Sequence, residues 1–261
     1  MLPEIKTDLF FRYTAGKRPR LVFIHGVLDR SQTFRKTLNY LKDYETVIYD
    51  RRGYGRSINA GLSYGLEQHF VDLKAFIPKY ETVLVGHSYG ALLALYSATK
   101  LKNIIGVVAY EPPLSYKPWW FAQQSAGSAL DQFNDPEKAA EAFLIRILGK
   151  QRWETLSSRI KAERKKEGPA FVADLKPVRQ LKAEPFNPRS INAYCGLVQG
   201  ELSFERNKRA STELHALIKH SDIYEIKGAA HFGHQSHPKA FAEIILSSIK
   251  KAQDLLDVTE D

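Results

Sequence analysis

Four short runs of the chain are apolar at nearly every position rather than at every second one: Leu21-Val22-Phe23-Ile24, Thr46-Val47-Ile48-Tyr49, Val83-Leu84-Val85 and Ile104-Ile105-Gly106-Val107-Val108-Ala109. Central strands of a parallel sheet need this pattern, because helices cover both of their faces. Between the runs, polar and apolar residues recur with helical spacing at about residues 31 to 43, 66 to 77 and 89 to 101. Strand and helix therefore alternate, which defines an α/β class. After residue 111 the pattern changes. Pro112, Pro113 and Pro118 break the chain, and residues from about 120 to 184 read as helices without strands. The earlier style returns near residue 192, with a strand through Tyr194-Cys195-Gly196-Leu197-Val198, a helix at about 207 to 219, a strand Ile223-Tyr224-Glu225-Ile226 and a final helix from about 238. These boundaries predict a core made of residues 1–111 and 191–261, with a helical cap over 112–190 inserted before the last two strands.

The chain has 261 residues, of which 44% are hydrophobic, enough for one core domain carrying a large insertion. Its single cysteine, Cys195, cannot form an intramolecular disulfide and lies in an apolar stretch, so it reads as a buried core thiol. No signal-peptide pattern and no run of membrane-spanning length is present, which predicts a soluble cytoplasmic protein with no membrane partner. The net charge of +9 comes without a nucleic-acid recognition motif, so no nucleic-acid partner is expected. Oligomeric state is left open.

Candidate chemistry centres on Gly86-His87-Ser88-Tyr89-Gly90, which joins the β-branched run ending at Val85 to the helix-like Ala91-Leu92-Leu93-Ala94-Leu95. A strand, sharp turn and helix with serine at the apex hold its hydroxyl exposed, and glycines on both sides let strand and helix cross closely. Four further features fall at the carboxyl ends of predicted strands, where open α/β sheets place ligands. They are His25-Gly26-Val27, the turn from Asp50 to Ser57, Glu111, and Gly228-Ala229-Ala230-His231-Phe232-Gly233. Gly53-Tyr54-Gly55 begins like a dinucleotide fingerprint, but position 58 is Ile where a third glycine is needed.

Together these features resemble the α/β-hydrolase superfamily from about residue 8 to 250. The resemblance implies Ser88 as nucleophile, His231 as general base, and the backbone N–H groups of Val27 and Tyr89 as oxyanion donors. It also implies structural roles for His25, in fixing the oxyanion loop, and for the Asp50–Ser57 turn. The chain departs from the family's usual pattern at the acid: Ser203 stands where most members carry aspartate. Glu111, at the end of the strand before the cap, is the candidate that orients His231, with Glu205 and Glu201 as alternatives and absence of an acid as the remaining case.

His231, His234 and His237 are spaced three apart, but the spacing runs from a loop into a helix start without a carboxylate, so no metal is expected. His234 is a fallback base. Tyr116, Trp119, Trp120 and Phe121 form an aromatic cluster beyond the hinge, from which Trp119, Trp120 and Phe121 are candidates to line a substrate pocket. Residues 112–190 hold 14 Lys and Arg against 9 Asp and Glu, and the run from Lys161 to Glu167 mixes both signs, as a solvated helix face does.

The expected activity is that of a carboxylesterase-like serine hydrolase. It would cleave an ester or related acyl bond of a small, largely apolar substrate through an acyl-enzyme, with no cofactor. The same residues also suit a carbon–carbon bond hydrolase, a lactonase, a thioesterase or an acyltransferase. Ser203 motivates a different class, a ligand-binding protein in which catalysis has decayed.

Overall fold

The computed structural model describes residues 5–120, 128–181 and 183–259. Seven strands form one sheet in the order β1-β3-β2-β4-β5-β6-β7. They are β1 (Phe11–Thr14), β2 (Lys17–Ile24), β3 (Tyr44–Tyr49), β4 (Thr82–His87), β5 (Ile104–Tyr110), β6 (Tyr194–Gly200) and β7 (Ser221–Ile226). Only β1 runs antiparallel, against β3. The sequence reading missed it, because Phe11-Arg12-Tyr13-Thr14 is an edge strand of four residues with alternating rather than continuous burial.

The continuous apolar runs have a direct cause in the packing. Along each central strand successive residues enter opposite layers. Val22, Leu84, Val107 and Cys195 join one core cluster, while Phe23, Val85, Val108 and Val198 join the other. The first layer is closed by α2 (Leu66–Lys74), α3 (Tyr89–Ala98) and α9 (Glu205–Leu217). Every residue of α3 from Tyr89 to Ser97 is buried, which explains why this helix is apolar all round. The second layer is closed by α11 (Pro238–Thr259), which contributes Phe241, Ala242, Ile245, Ile249 and Ala252 from one face. The helix expected over 31–43 is a 3-10 turn at Ser31–Phe34 followed by a single α-turn, α1 (Arg35–Leu38).

Between β5 and β6 the described residues form helices only: α4 (Ala129–Gln132), α5 (Pro136–Leu148), α6 (Lys150–Glu154), α7 (Ser158–Lys165) and α8 (Gly168–Arg179). They share a third core cluster in which Ala140, Leu144, Trp153 and Phe171 pack with Leu28 and Tyr54 from loops of the sheet. The mixed-charge run is not wholly solvated. Glu167 is fully buried, its carboxylate meeting the Arg30 guanidinium at 2.8 Å and accepting the Gly55 N–H at 2.9 Å. Among the described residues no helix is long and apolar enough to cross a membrane.

Register decides what meets at the top of the sheet. Ile24, Gly86 and Ala109 lie side by side, as do Tyr110 and Val198, and Gly200 and Ile226. The residues that follow each strand therefore emerge along one edge: His25 after β2, Ser88 after β4 and Glu111 after β5.

Candidate active site

Ser88 caps α3 with φ 53° and ψ −120°, a left-handed backbone that a serine adopts only when its surroundings impose it. The two glycines that flank it are required by close approach. A Cβ on Gly86 would lie 2.4 Å from the Gly90 carbonyl oxygen, so strand and helix do cross at contact distance. A Cβ on Gly90 would lie 2.1 Å from the Ile24 oxygen, so this glycine makes room for β2 rather than for its own strand. Among the described residues, the non-glycine positions with positive φ are Leu28, Ser88 and Glu111. All three border one cleft or adjoin a residue that does, which is where stored backbone strain tends to gather.

That cleft encloses about 680 Å³ of space continuous with open solvent. Ser88, Tyr89, Val27, Glu111 and His231 all line it. The loop after β2 lies against the serine, since a Cβ on Gly26 would be 3.2 Å from the Ser88 Cβ. His25, fully buried, holds that loop. Its Nδ1 donates to the Gly26 carbonyl at 2.7 Å and its Nε2 accepts the Arg51 N–H at 2.8 Å. Burial, followed by the Arg51 charge, pushes the His25 imidazole down to about 4, so at neutral pH it is a neutral strut. The Asp50–Ser57 turn is structural as well. Asp50 accepts the Ser31 and Arg56 N–H groups at 2.8 and 2.9 Å, and the Ser57 hydroxyl accepts the Phe10 N–H at 2.8 Å.

His231 Nδ1 donates to Glu111 Oε2 at 2.7 Å. The same carboxylate accepts the Gly200 N–H at 3.0 Å, the Asn207 side-chain amide at 2.5 Å and the Ser203 hydroxyl. Burial pushes the Glu111 carboxyl up, but its bond to His231, that ring's charge and the bonds from Ser203 and Gly200 outweigh it. The net effect holds the carboxyl at about 2, so it is ionised. An ionised acceptor on Nδ1 fixes the ring's tautomer and leaves Nε2 as its basic nitrogen. Ser203 thus donates to the carboxylate from the position where an aspartate was expected. Neither alternative acid takes this place. Glu201 is exposed and accepts the Gly228 N–H at 2.7 Å, and Glu205 is exposed at the start of α9. Asn207, one turn into α9, was missed by sequence reasoning. No motif surrounds it, and only the docking of α9 beside β6 carries it to Glu111.

The histidines spaced three apart do not converge. His237 faces away and bonds its neighbour Ser236 at 2.8 Å. His234 is fully buried and stacks on His87 with ring centroids 4.1 Å apart, out of the cleft, so it is not placed as a base. It joins a set that spacing did not reveal: Asp29, His87 and His234, whose ligand-type atoms lie within 4.8 Å of one another. His87 Nε2 donates to the His231 carbonyl at 2.9 Å, while its Nδ1 faces Asp29 at 3.6 Å. This buried cluster braces the loop that carries His231 from beneath.

Of the candidate aromatic residues, Trp120 lines the cleft. Trp119 does not. Its indole N–H donates to Glu213 at 2.8 Å and its ring packs under Arg209 at 4.4 Å, outside the cleft on α9. Phe121 lies outside the described residues. The rest of the wall includes Phe143 and Ile147 of α5, Leu175 and Arg179 of α8, and Phe204 and Arg206 at the start of α9.

A sheet covered on both faces, with a strained serine at one strand end and a carboxylate-bonded histidine lining the same cleft, places the chain in the α/β class. Residues 21–244 match the model of the alpha/beta hydrolase family, and the chain belongs to that family. Over 118 residues it is 27% identical to a non-heme haloperoxidase of Rhodococcus erythropolis, a match covering 41% of this chain and 42% of that protein. The fold is similar to that of a lipase-esterase related protein from Clostridium acetobutylicum, with a TM-score of 0.73 and 18% identity, covering 93% of this chain and 100% of that one. It is also similar to the enol-lactonase from Burkholderia xenovorans, with a TM-score of 0.71 and 19% identity, covering 93% of this chain and 96% of that one.

Proposed function

We propose that the protein is a serine hydrolase that cleaves an ester or related acyl bond through an acyl-enzyme intermediate, with residues 112–190 forming a cap over the site. The observation that carries this reading is the 2.7 Å bond from His231 to the ionised Glu111 in the cleft that Ser88 lines. In this mechanism Ser88 Oγ attacks the carbonyl carbon as His231 Nε2 takes its proton. Glu111 balances the imidazolium that forms, and the N–H groups of Val27 and Tyr89 bind the oxyanion. Tyr89 opens α3, so its N–H lies outside the helical ladder and at the positive end of the helix dipole. His231 returns the proton to the leaving group. Water, activated by the same ring, then releases the acid and restores Ser88, so no cofactor enters.

Lactone opening, thioester cleavage, carbon–carbon bond hydrolysis and acyl transfer use the same residues, and the pocket decides among them. The test is intact-mass measurement after treatment with a fluorophosphonate. A single adduct on the wild type that is absent from Ser88→Ala is expected, with melting temperatures within a few degrees of each other. Wild type that stays unmodified where a control hydrolase labels would instead favour a ligand-binding protein built on this fold.

A further inference from the structure

Beneath the cleft lies Asp29, a buried carboxylate with which no lysine or arginine among the described residues pairs. Its side-chain hydrogen-bond donor is the Thr33 hydroxyl, at a long 3.4 Å. Two imidazoles face it. His87 Nδ1 lies 3.6 Å and His234 Nε2 3.9 Å from the same oxygen, Oδ2, both beyond hydrogen-bond length. His87 Nε2 donates to the His231 carbonyl at 2.9 Å, so in the neutral ring Nδ1 is the nitrogen with the lone pair, and it faces a carboxylate that also offers lone pairs. Among the described residues neither ring finds a hydrogen-bond partner for Nδ1, and His234 Nε2 meets the Gln235 amide at 3.4 Å. Both histidines are buried. Donor atoms gathered in this way repel one another unless a cation lies between them, and buried carboxylates are paired with a cation or coordinate a metal.

The spacing suits an ion. Donors held about 2.0–2.1 Å from a tetrahedral zinc-class ion stand roughly 3.4 Å from one another. The separations of 3.6 and 3.9 Å need close by only a few tenths of an ångström, and no two ligand-type atoms of the three residues lie more than 4.8 Å apart. The bond from His87 Nε2 to a backbone carbonyl is the support that fixes the tautomer and ring orientation of a metal-binding histidine. The rings of Phe34, Tyr110 and Phe241 pack round His234 and keep the surroundings apolar.

We propose that Asp29, His87 and His234 hold one divalent transition-metal ion of the zinc class as a structural tie. Two imidazoles and a carboxylate that binds through both oxygens supply four donor atoms. None of the three residues lines the cleft, so the ion does not meet substrate. It acts through the chain. Asp29 follows Val27 by two residues, His87 directly precedes Ser88, and His234 follows His231 by three. One ion thereby fixes the loop after β2, the turn at Ser88 and the loop that carries His231 relative to one another.

The test begins with protein prepared without a polyhistidine tag from zinc-supplemented medium, whose metal content is read by elemental mass spectrometry. Because the ligands are buried, a second sample is unfolded in urea with a chelator, freed of the chelator and refolded with Co(II), so that the ion enters before the site closes. About one ion per chain is expected in each sample. The cobalt protein should show the visible absorption of a four-coordinate ion, and its melting temperature should exceed that of protein refolded without metal by about 5 °C or more. Asp29→Asn and His234→Gln should each lose the ion, whereas His237→Gln, a change at the histidine that faces away, should keep it. Absence of stoichiometric metal from both wild-type samples overturns the proposal and leaves a proton on His87 to balance Asp29. Metal that His234→Gln retains in full lies elsewhere and overturns it equally. Should the variants not fold, X-ray absorption on the wild-type cobalt protein counts the ligands: two imidazoles are expected, and a shell without imidazole overturns the assignment. These readouts need no turnover, so they stand whether or not a fluorophosphonate labels Ser88.

Discussion

Glu111 shows how much one residue can be asked to do. It follows β5 directly with φ 48°, and its two oxygens take four donors: the Gly200 N–H, the Ser203 hydroxyl, the Asn207 amide and the His231 ring. Three of these donors fix the carboxylate, so the fourth, His231, is oriented by a group that cannot itself rotate. Replacing the carboxylate by an amide keeps the volume but removes the charge that selects the Nδ1–H tautomer. Glu111→Gln is therefore expected to lower kcat by about a thousandfold or more. Glu205→Gln, an exposed change, should stay within about twofold. Steady-state rates on one activated ester distinguish them, and comparable losses from both would remove Glu111 from its assigned role.

At the scale of elements, α8 is joined to the sheet through one buried acid. Asp174 receives the Arg51 guanidinium at 2.8 Å, the Tyr54 hydroxyl at 2.8 Å and His69 at 2.6 Å. Arg51, fully buried, donates in turn to the carbonyls of His25 and Gly26, each at 3.0 Å. Helix α8, which lines the cleft, and the loop that abuts Ser88 therefore share one guanidinium. Asp174→Ala would strand that charge in the interior, and breaking a buried pair in this way costs about 3–5 kcal/mol. Urea unfolding is expected to show that loss, accompanied by slower turnover as the loop loosens. A loss below about 1 kcal/mol would mean that water or a neighbour replaces the carboxylate easily.

For the whole molecule, the two buried acids make stability depend on pH. Burial pushes both carboxyls up, but the groups that bond them hold Glu111 and Asp174 at about 2, below ordinary values of 4.5 and 3.8. Folded values below the unfolded ones mean that their contribution is complete above about pH 5 and disappears as the pH falls toward 2. Glu111 alone accounts for on the order of 3 kcal/mol by this linkage. Wild type should therefore be clearly more stable than Glu111→Gln at pH 7, and the gap in urea midpoints should narrow by more than half by about pH 3 and close near pH 2. A gap that stays constant across that range would contradict the linkage.

The sequence by itself determined the layered sheet, because strands covered on both faces must be apolar at successive positions. Leu21 to Ile24 and Val83 to Val85 divide residue by residue between the two cores. It also determined the turn at Ser88, since Gly86 and Gly90 occupy places where any Cβ would meet backbone. Local signals ended where contacts became distant. The edge strand Phe11–Thr14 had too few residues to declare itself. The exclusion of Trp119 and His234 from the cleft, the burial of Glu167 and the arrival of Asn207 at Glu111 were decided by how helices dock. Among Glu111, Glu201 and Glu205 the chain offered three acids in the same order between serine and histidine. Only the tertiary structure chose, because a hydrogen bond depends on positions in space, and residues 111 and 231 meet through the register of the parallel strands rather than through any spacing along the chain.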